Sequence, residues 1–111
     1  MLIYKICPAA EFERQKATNV FSGSGIDLVD GYIHFSTSDL LKDTLQVHFK
    51  GQSDLVVFAV DSESISPLKW EEARGGLLFP HLYGDFTFDK VEGVHKVSVT
   101  DNGEVVGLNI S

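Results

Sequence analysis

The feature that most restricts the fold is the run from Asp54 to Asp61, DLVVFAVD. Its interior is continuously apolar and rich in β-branched and aromatic residues. It is too short for a buried helix, and it lacks the polar alternation of a strand with one wet face. Such a run suits a strand in the middle of a sheet, covered on both faces. The chain must therefore supply a layer on each side of it. With 111 residues, 43% of them hydrophobic and 11% aromatic, a single domain spanning residues 1–111 can do so.

The rest of the chain reads around that strand. Leu2 to Cys7 forms a first strand, and Pro8 suits the first turn of a helix running to about Ala17. Thr18 to Asp30 reads as a loop, marked by Asn19, Ser22, Gly23, Ser24 and Gly25. Gly31 to Ser36, GYIHFS, is a short strand. Ser36 and Asp39 have capping-box spacing ahead of a helix from about Ser38 to Lys50, which stops at Gly51. Leu41, Leu45 and His48 share the apolar face of that helix. Val94 to Thr100 and Glu104 to Ile110 form two late strands, joined by the hairpin signal Asp101-Asn102-Gly103. The fold class is α+β, with a mixed, mostly antiparallel split sheet and two main helices.

Leu68 to Gly84, LKWEEARGGLLFPHLYG, carries the candidate chemistry. Gly75, Gly76 and Pro80 oppose a helix, while Trp70, Leu77, Leu78, Phe79, Leu82 and Tyr83 need a core. The segment therefore reads as irregular and apolar, built to hold Glu71, Glu72, Arg74, His81 and Tyr83 at a pocket. Pro80 fixes the backbone ahead of His81. Gly75 and Gly76 would allow close approach of a ligand whose phosphate or carboxylate Arg74 binds. The structural alternative for Arg74 is an internal ion pair with Glu71 or Glu72. One of those two glutamates is a candidate general base or ribose-hydroxyl acceptor. Trp70 is a candidate ring stacker, with core packing as its alternative. In GYIHFST, alternation puts Tyr32, His34 and Ser36 on one face and Ile33 and Phe35 on the other. His34 is therefore expected to join Arg74, His81 and Tyr83 at one site. His48 and His95 read as partly buried structural residues.

Composition closes off other classes. The net charge of -7 and the scattered basic residues oppose binding to long nucleic acid. No apolar run approaches the ~18 residues of a membrane span, and MLIYKICPAAEF lacks the pattern of a signal peptide. Cys7 is the only cysteine, which excludes a disulfide framework and favours a cytoplasmic setting. Neither HxH, HxxxH nor HExxH occurs, so no metal is expected. No G-x-S-x-G elbow is present for a serine nucleophile, and Gly23-Ser24-Gly25 lacks the rest of a phosphate loop.

Together, the YKI strand, FSGSGIDLVDGYIHFST, the Asp54 to Asp61 strand and LKWEEARGGLLFPHLYG resemble the bacterial DUF952 family over almost the whole chain. Phe12 stands where that family often has Trp. The resemblance implies an ADP-ribosyltransferase-like fold. In that larger group a His on an early strand contacts the nicotinamide ribose of NAD. His34, followed by Ser36 and Thr37, matches this locally, and Tyr83 or His81 would stack on nicotinamide. The late glutamate of the toxin-type transferases would be Glu71 or Glu72. RNA 2′-phosphotransferases use several Arg, whereas this chain has only Arg14 and Arg74. The resemblance thus implies NAD as substrate and a transferase or glycohydrolase chemistry. The competing expectation is a non-catalytic module for a nucleotide-like small ligand. The oligomeric state stays open.

Overall fold

In the computed structural model, residues 1–109 are described. Nine strands and three α-helices follow in order: β1 Leu2–Pro8, α1 Ala9–Ala17, β2 Val20–Phe21, α2 Ile26–Asp30, β3 Ile33–His34, α3 Ser38–His48, β4 Leu55–Asp61, β5 Leu68–Glu72, β6 Leu78–Leu82, β7 Phe86–Thr87, β8 Val91–Val99 and β9 Val105–Val106. The strands form three small sheets, in the orders β1-β4-β8-β9, β2-β7 and β3-β6-β5. Every strand pair among the described residues is antiparallel. The sheet is therefore split but not mixed, and α2 is a third helix in addition to the two expected.

β4 lies between β1 and β8, and Leu55 to Val60 are all buried. Its alternation divides the core in two. Val56, Phe58 and Val60 face a cluster with Ile3, Cys7, Phe12, Phe21, Ile33, Phe35, Leu82 and Phe86. Leu55, Val57 and Ala59 face Tyr4, Ile6, Leu41, Leu45, Val97 and Val99. The first cluster is roofed by α1, β2-β7 and β3-β6-β5, and the second by α3. Both faces of the apolar run are covered, which is why it needs no polar alternation.

Several local expectations change. The Thr18 to Asp30 loop holds β2 and the one-turn helix α2. Leu68 to Gly84 is mostly a regular hairpin: β5 and β6 pair from Leu68↔Leu82 to Glu72↔Leu78. Gly75 and Gly76, at φ 68° and 75°, make its turn, which explains their choice without a ligand. Pro80 is tolerated in the central strand because its carbonyl, and hence its nitrogen, faces the end of β3, where Phe35 N–H donates to it. The N-cap of α3 is Thr37, not Ser36, and the Thr37 hydroxyl donates to Asp39 at 2.5 Å. The helix ends at His48, which is exposed rather than on the buried face. The last strand shrinks to β9, and Ile110 lies outside the described residues. No helix among the described residues is long and apolar enough to cross a membrane.

Candidate functional site

The site begins with one pairing. His34 on β3 sits opposite His81 on β6. His34 N–H donates to Asp27 Oδ1 at 3.0 Å, and its carbonyl accepts from Lys5 Nζ at 3.2 Å. Both backbone groups thus point away from β6. His34 and His81 form a non-hydrogen-bonded pair, the kind that brings facing side chains closest. Their ring centroids are 5.2 Å apart. Tyr32 lies across both, at 4.6 Å from His34 and 4.3 Å from His81, and at 5.0 Å from Tyr83. Tyr32, His34, His81 and Tyr83 thus gather on the outer face of the sheet, while Ile33, Phe35 and Leu82 on the inner face pack into the core.

Three carboxylates hold the two histidines. Glu71 Oε1 meets His81 Nδ1 at 2.8 Å and accepts from the Tyr83 hydroxyl at 2.7 Å. These bonds, Tyr83 first, hold the Glu71 carboxyl below its ordinary range. The same bond to Glu71 pushes the Tyr83 phenol up to about 12. Among the described residues nothing partners His81 Nε2. The His81 side chain is only 4% exposed. His34 Nδ1 lies 2.6 Å from Asp27 Oδ1, and Nε2 lies 3.1 Å from Asp30 Oδ2.

Asp27 is the buried hub. Its Oδ2 accepts from Lys5 Nζ at 2.6 Å and from Ser24 N–H at 2.9 Å. Burial alone would raise the Asp27 carboxyl; the His34 bond and Lys5 outweigh it and hold the group below the usual range. Burial in turn pulls the Lys5 ammonium down, against the pull of Asp27. Asp27 can approach this closely because Gly23 has φ 111° and no side chain; a Cβ there would lie 2.9 Å from the Asp27 Cβ. A cleft of about 440 Å³ opens beside the cluster, lined by Asp27, Leu28, Tyr32, Tyr83, Gly84 and Asp85 among others; His34 and His81 do not line it.

The remaining candidates lie elsewhere. Trp70 and Glu72 alternate onto the other sheet face and are exposed. Glu71, not Glu72, is therefore the glutamate that meets His81, and Trp70 does not join the rings. Arg74 pairs with neither glutamate. It donates to Asp43 Oδ2 at 2.9 Å and Thr44 Oγ1 at 3.2 Å on α3, with its guanidinium over the Phe79 ring. Ser36 is buried and donates to the same Thr44 hydroxyl at 3.3 Å. Ser36 and Arg74 thus share a second network on α3, and Thr37 caps that helix. Sequence reading missed Lys5, Asp27, Asp30 and the central place of Tyr32. The Ser24-x-x-Asp27 spacing was the available signal for Asp27: Asp27 reaches back to the Ser24 N–H as the last residue of a capping box does. Among the described residues no three His, Cys, Asp or Glu are grouped to hold a metal ion.

Residues 6–94 match a family described as "Protein of unknown function (DUF952)". The chain belongs to this DUF952 family. The match contains every candidate site residue from Asp27 to Tyr83 and leaves Lys5 just outside. The crystal structure of protein CC0527 from Caulobacter crescentus is 40% identical, covers 95% of this chain and 93% of its own, and superposes with a TM-score of 0.87. A solution NMR structure of CC0527, also 40% identical, covers 92% and 89% with a TM-score of 0.77. Neither the family description nor these structures name an activity. Comparison with curated proteins finds no match.

Proposed function

We propose that this DUF952 protein binds a ribosyl ligand with a cationic ring, NAD being the type. In this reading it acts at the anomeric carbon as a transferase or glycohydrolase, on an ADP-ribosyltransferase-like scaffold. The observation that supports it is the Glu71–His81 pair: a carboxylate on Nδ1, with Nε2 unpartnered among the described residues, makes up an oriented general base. Tyr32 and Tyr83 offer ring faces to nicotinamide, and His34 Nε2 would reach a ribose hydroxyl by leaving the exposed edge of Asp30. As the bond from C1′ to the nicotinamide nitrogen breaks, its electron pair leaves with neutral nicotinamide. Glu71 offsets the positive charge growing on the ribose. Water or an acceptor hydroxyl forms the new C1′–O bond, and its proton passes to His81 Nε2 and on to solvent. Arg74 would hold a phosphate only by leaving Asp43.

That last point favours a second reading. Asp85 lines the cleft, Glu71 bonds the Tyr83 hydroxyl and Asp30 the His34 ring beside it, while Arg74 is already paired. Such a setting suits the cationic nicotinamide end better than a pyrophosphate, as in a non-catalytic module for a small cationic ring ligand. Chromatography of NAD incubated with the protein separates the two. Nicotinamide release that is lost in Glu71→Gln and His81→Asn supports the enzyme. Calorimetric heat with nicotinamide riboside but no release supports the module. Neither heat nor release with either compound refutes both.

A further inference from the structure

Among the described residues, the hairpin that carries Glu71 and His81 also leaves a free sheet edge. β5 is the outer strand of β3-β6-β5. Pro67 accepts from Tyr83 N–H, and Ala73 N–H donates to Leu77. Odd-numbered residues of β5 therefore bond to β6, and Leu68, Trp70 and Glu72 turn their N–H and C=O groups outward. Trp70 is 41% exposed beside this edge, and Leu78, on the same face, is 53% exposed. An open edge with an exposed Trp is a template for another strand.

We infer that the occupant is the β5 strand of a second copy of this chain, paired antiparallel about Trp70. The charges select this partner and this register. Centred on Trp70, the pairing sets Leu68, Trp70 and Glu72 against Glu72, Trp70 and Leu68 of the second copy, each facing pair exchanging two backbone bonds. Lys69 then faces Glu71 of the second copy, twice by symmetry. Centring on Lys69 would oppose two lysines, and centring on Glu71 two glutamates, both unfavourable across a strand pair. Glu71 can take a partner: its Oε1 holds His81 and Tyr83, while its Oε2 has no hydrogen bond among the described residues. The second copy would thereby add Lys69 to the carboxylate that orients His81. The inference does not depend on which ligand the ring cluster takes.

Analytical ultracentrifugation tests it on the full chain. A single strand pair makes a small interface, so a weak dimer is expected, populated above roughly 100 µM. Lys69→Glu and Glu71→Lys should each sediment as monomers, because each sets like charges opposite one another. Mixed in equal amounts they should form a heterodimer, since each then meets the opposite charge. Circular dichroism checks that both variants fold. A monomeric wild type at about 1 mM, roughly tenfold above the concentration where the dimer is expected, would overturn the inference. So would an undiminished dimer in Lys69→Glu, or a mixture that stays monomeric.

Discussion

Removing Asp27 should be the most damaging polar change in this protein. The Lys5 and Asp27 side chains are 6% and 0% exposed. In Asp27→Ala, Lys5 keeps only the His34 carbonyl, and the Ser24 and His34 N–H groups lose their acceptor. Breaking one side of a buried pair costs about 3–5 kcal/mol. The orphaned N–H groups would each add about 1–3 kcal/mol if they stayed dry, but the vacated space admits water. A net loss near 4 kcal/mol is expected, or a fall of roughly 15–30 °C in Tm for a domain of this size. Lys5→Met should also destabilise, because it strands the carboxylate. Lys5→Met with Asp27→Asn removes both charges and keeps an acceptor for His34 N–H. It should therefore cost about 2 kcal/mol less than the two single changes summed. Urea titrations followed by far-UV circular dichroism give all the values. An Asp27→Ala cost below about 1 kcal/mol, or strict additivity in the cycle, would refute the assignment. The pH dependence has a fixed sign. Asp27 is held below its unfolded pKa, so the unfolded chain binds the extra proton and stability rises with pH. The contribution is complete above about pH 4 and disappears as pH falls through the depressed value. Asp27→Asn should flatten that acid limb.

Spectrophotometric titration should show a tyrosine ionising only at about 12, and Tyr83→Phe should remove it. Because that phenol is raised above its unfolded value, its contribution to stability should fade as pH climbs past about 10. Arg74→Ala should change stability by less than about 1 kcal/mol in denaturant titrations, since Arg74 and Asp43 remain 27% and 59% exposed. Gly107→Ala should cost roughly 1–3 kcal/mol, because φ is 91° and the new Cβ would run into the Lys96 carbonyl; a wild-type melting curve would contradict this. Cys7, whose thiol burial raises to about 12, should stay unreactive to thiol reagents until the protein unfolds.

Local pattern determined what local physics controls. The apolar run of β4, the start of α1 right after Pro8, the Leu41/Leu45 stripe of α3 and the shared side of Tyr32 and His34 follow from side-chain spacing alone and appear in the fold, whereas Ser36, expected on that same side, turns to Thr44. The same alternation also carried Tyr83 and His81 toward one sheet face, once Leu68 to Gly84 is known to be a hairpin. That last step was hidden. Pro80 and the glycines count against a strand until Pro80 is seen facing the short end of β3 and the glycines in the turn. The His34↔His81 register is a pairing across distant sequence, which no spacing rule specifies. Lys5 and Asp27 were less legible still. A lysine in a first strand and an aspartate after a Gly-Ser-Gly loop carry no local signal for burial. They are buried because β3 is an edge strand, and His34 turns its N–H and carbonyl toward the interior that only these two side chains reach. Arg74 shows the converse: its charge was legible, but its partner on α3 was decided by how the hairpin folds over that helix.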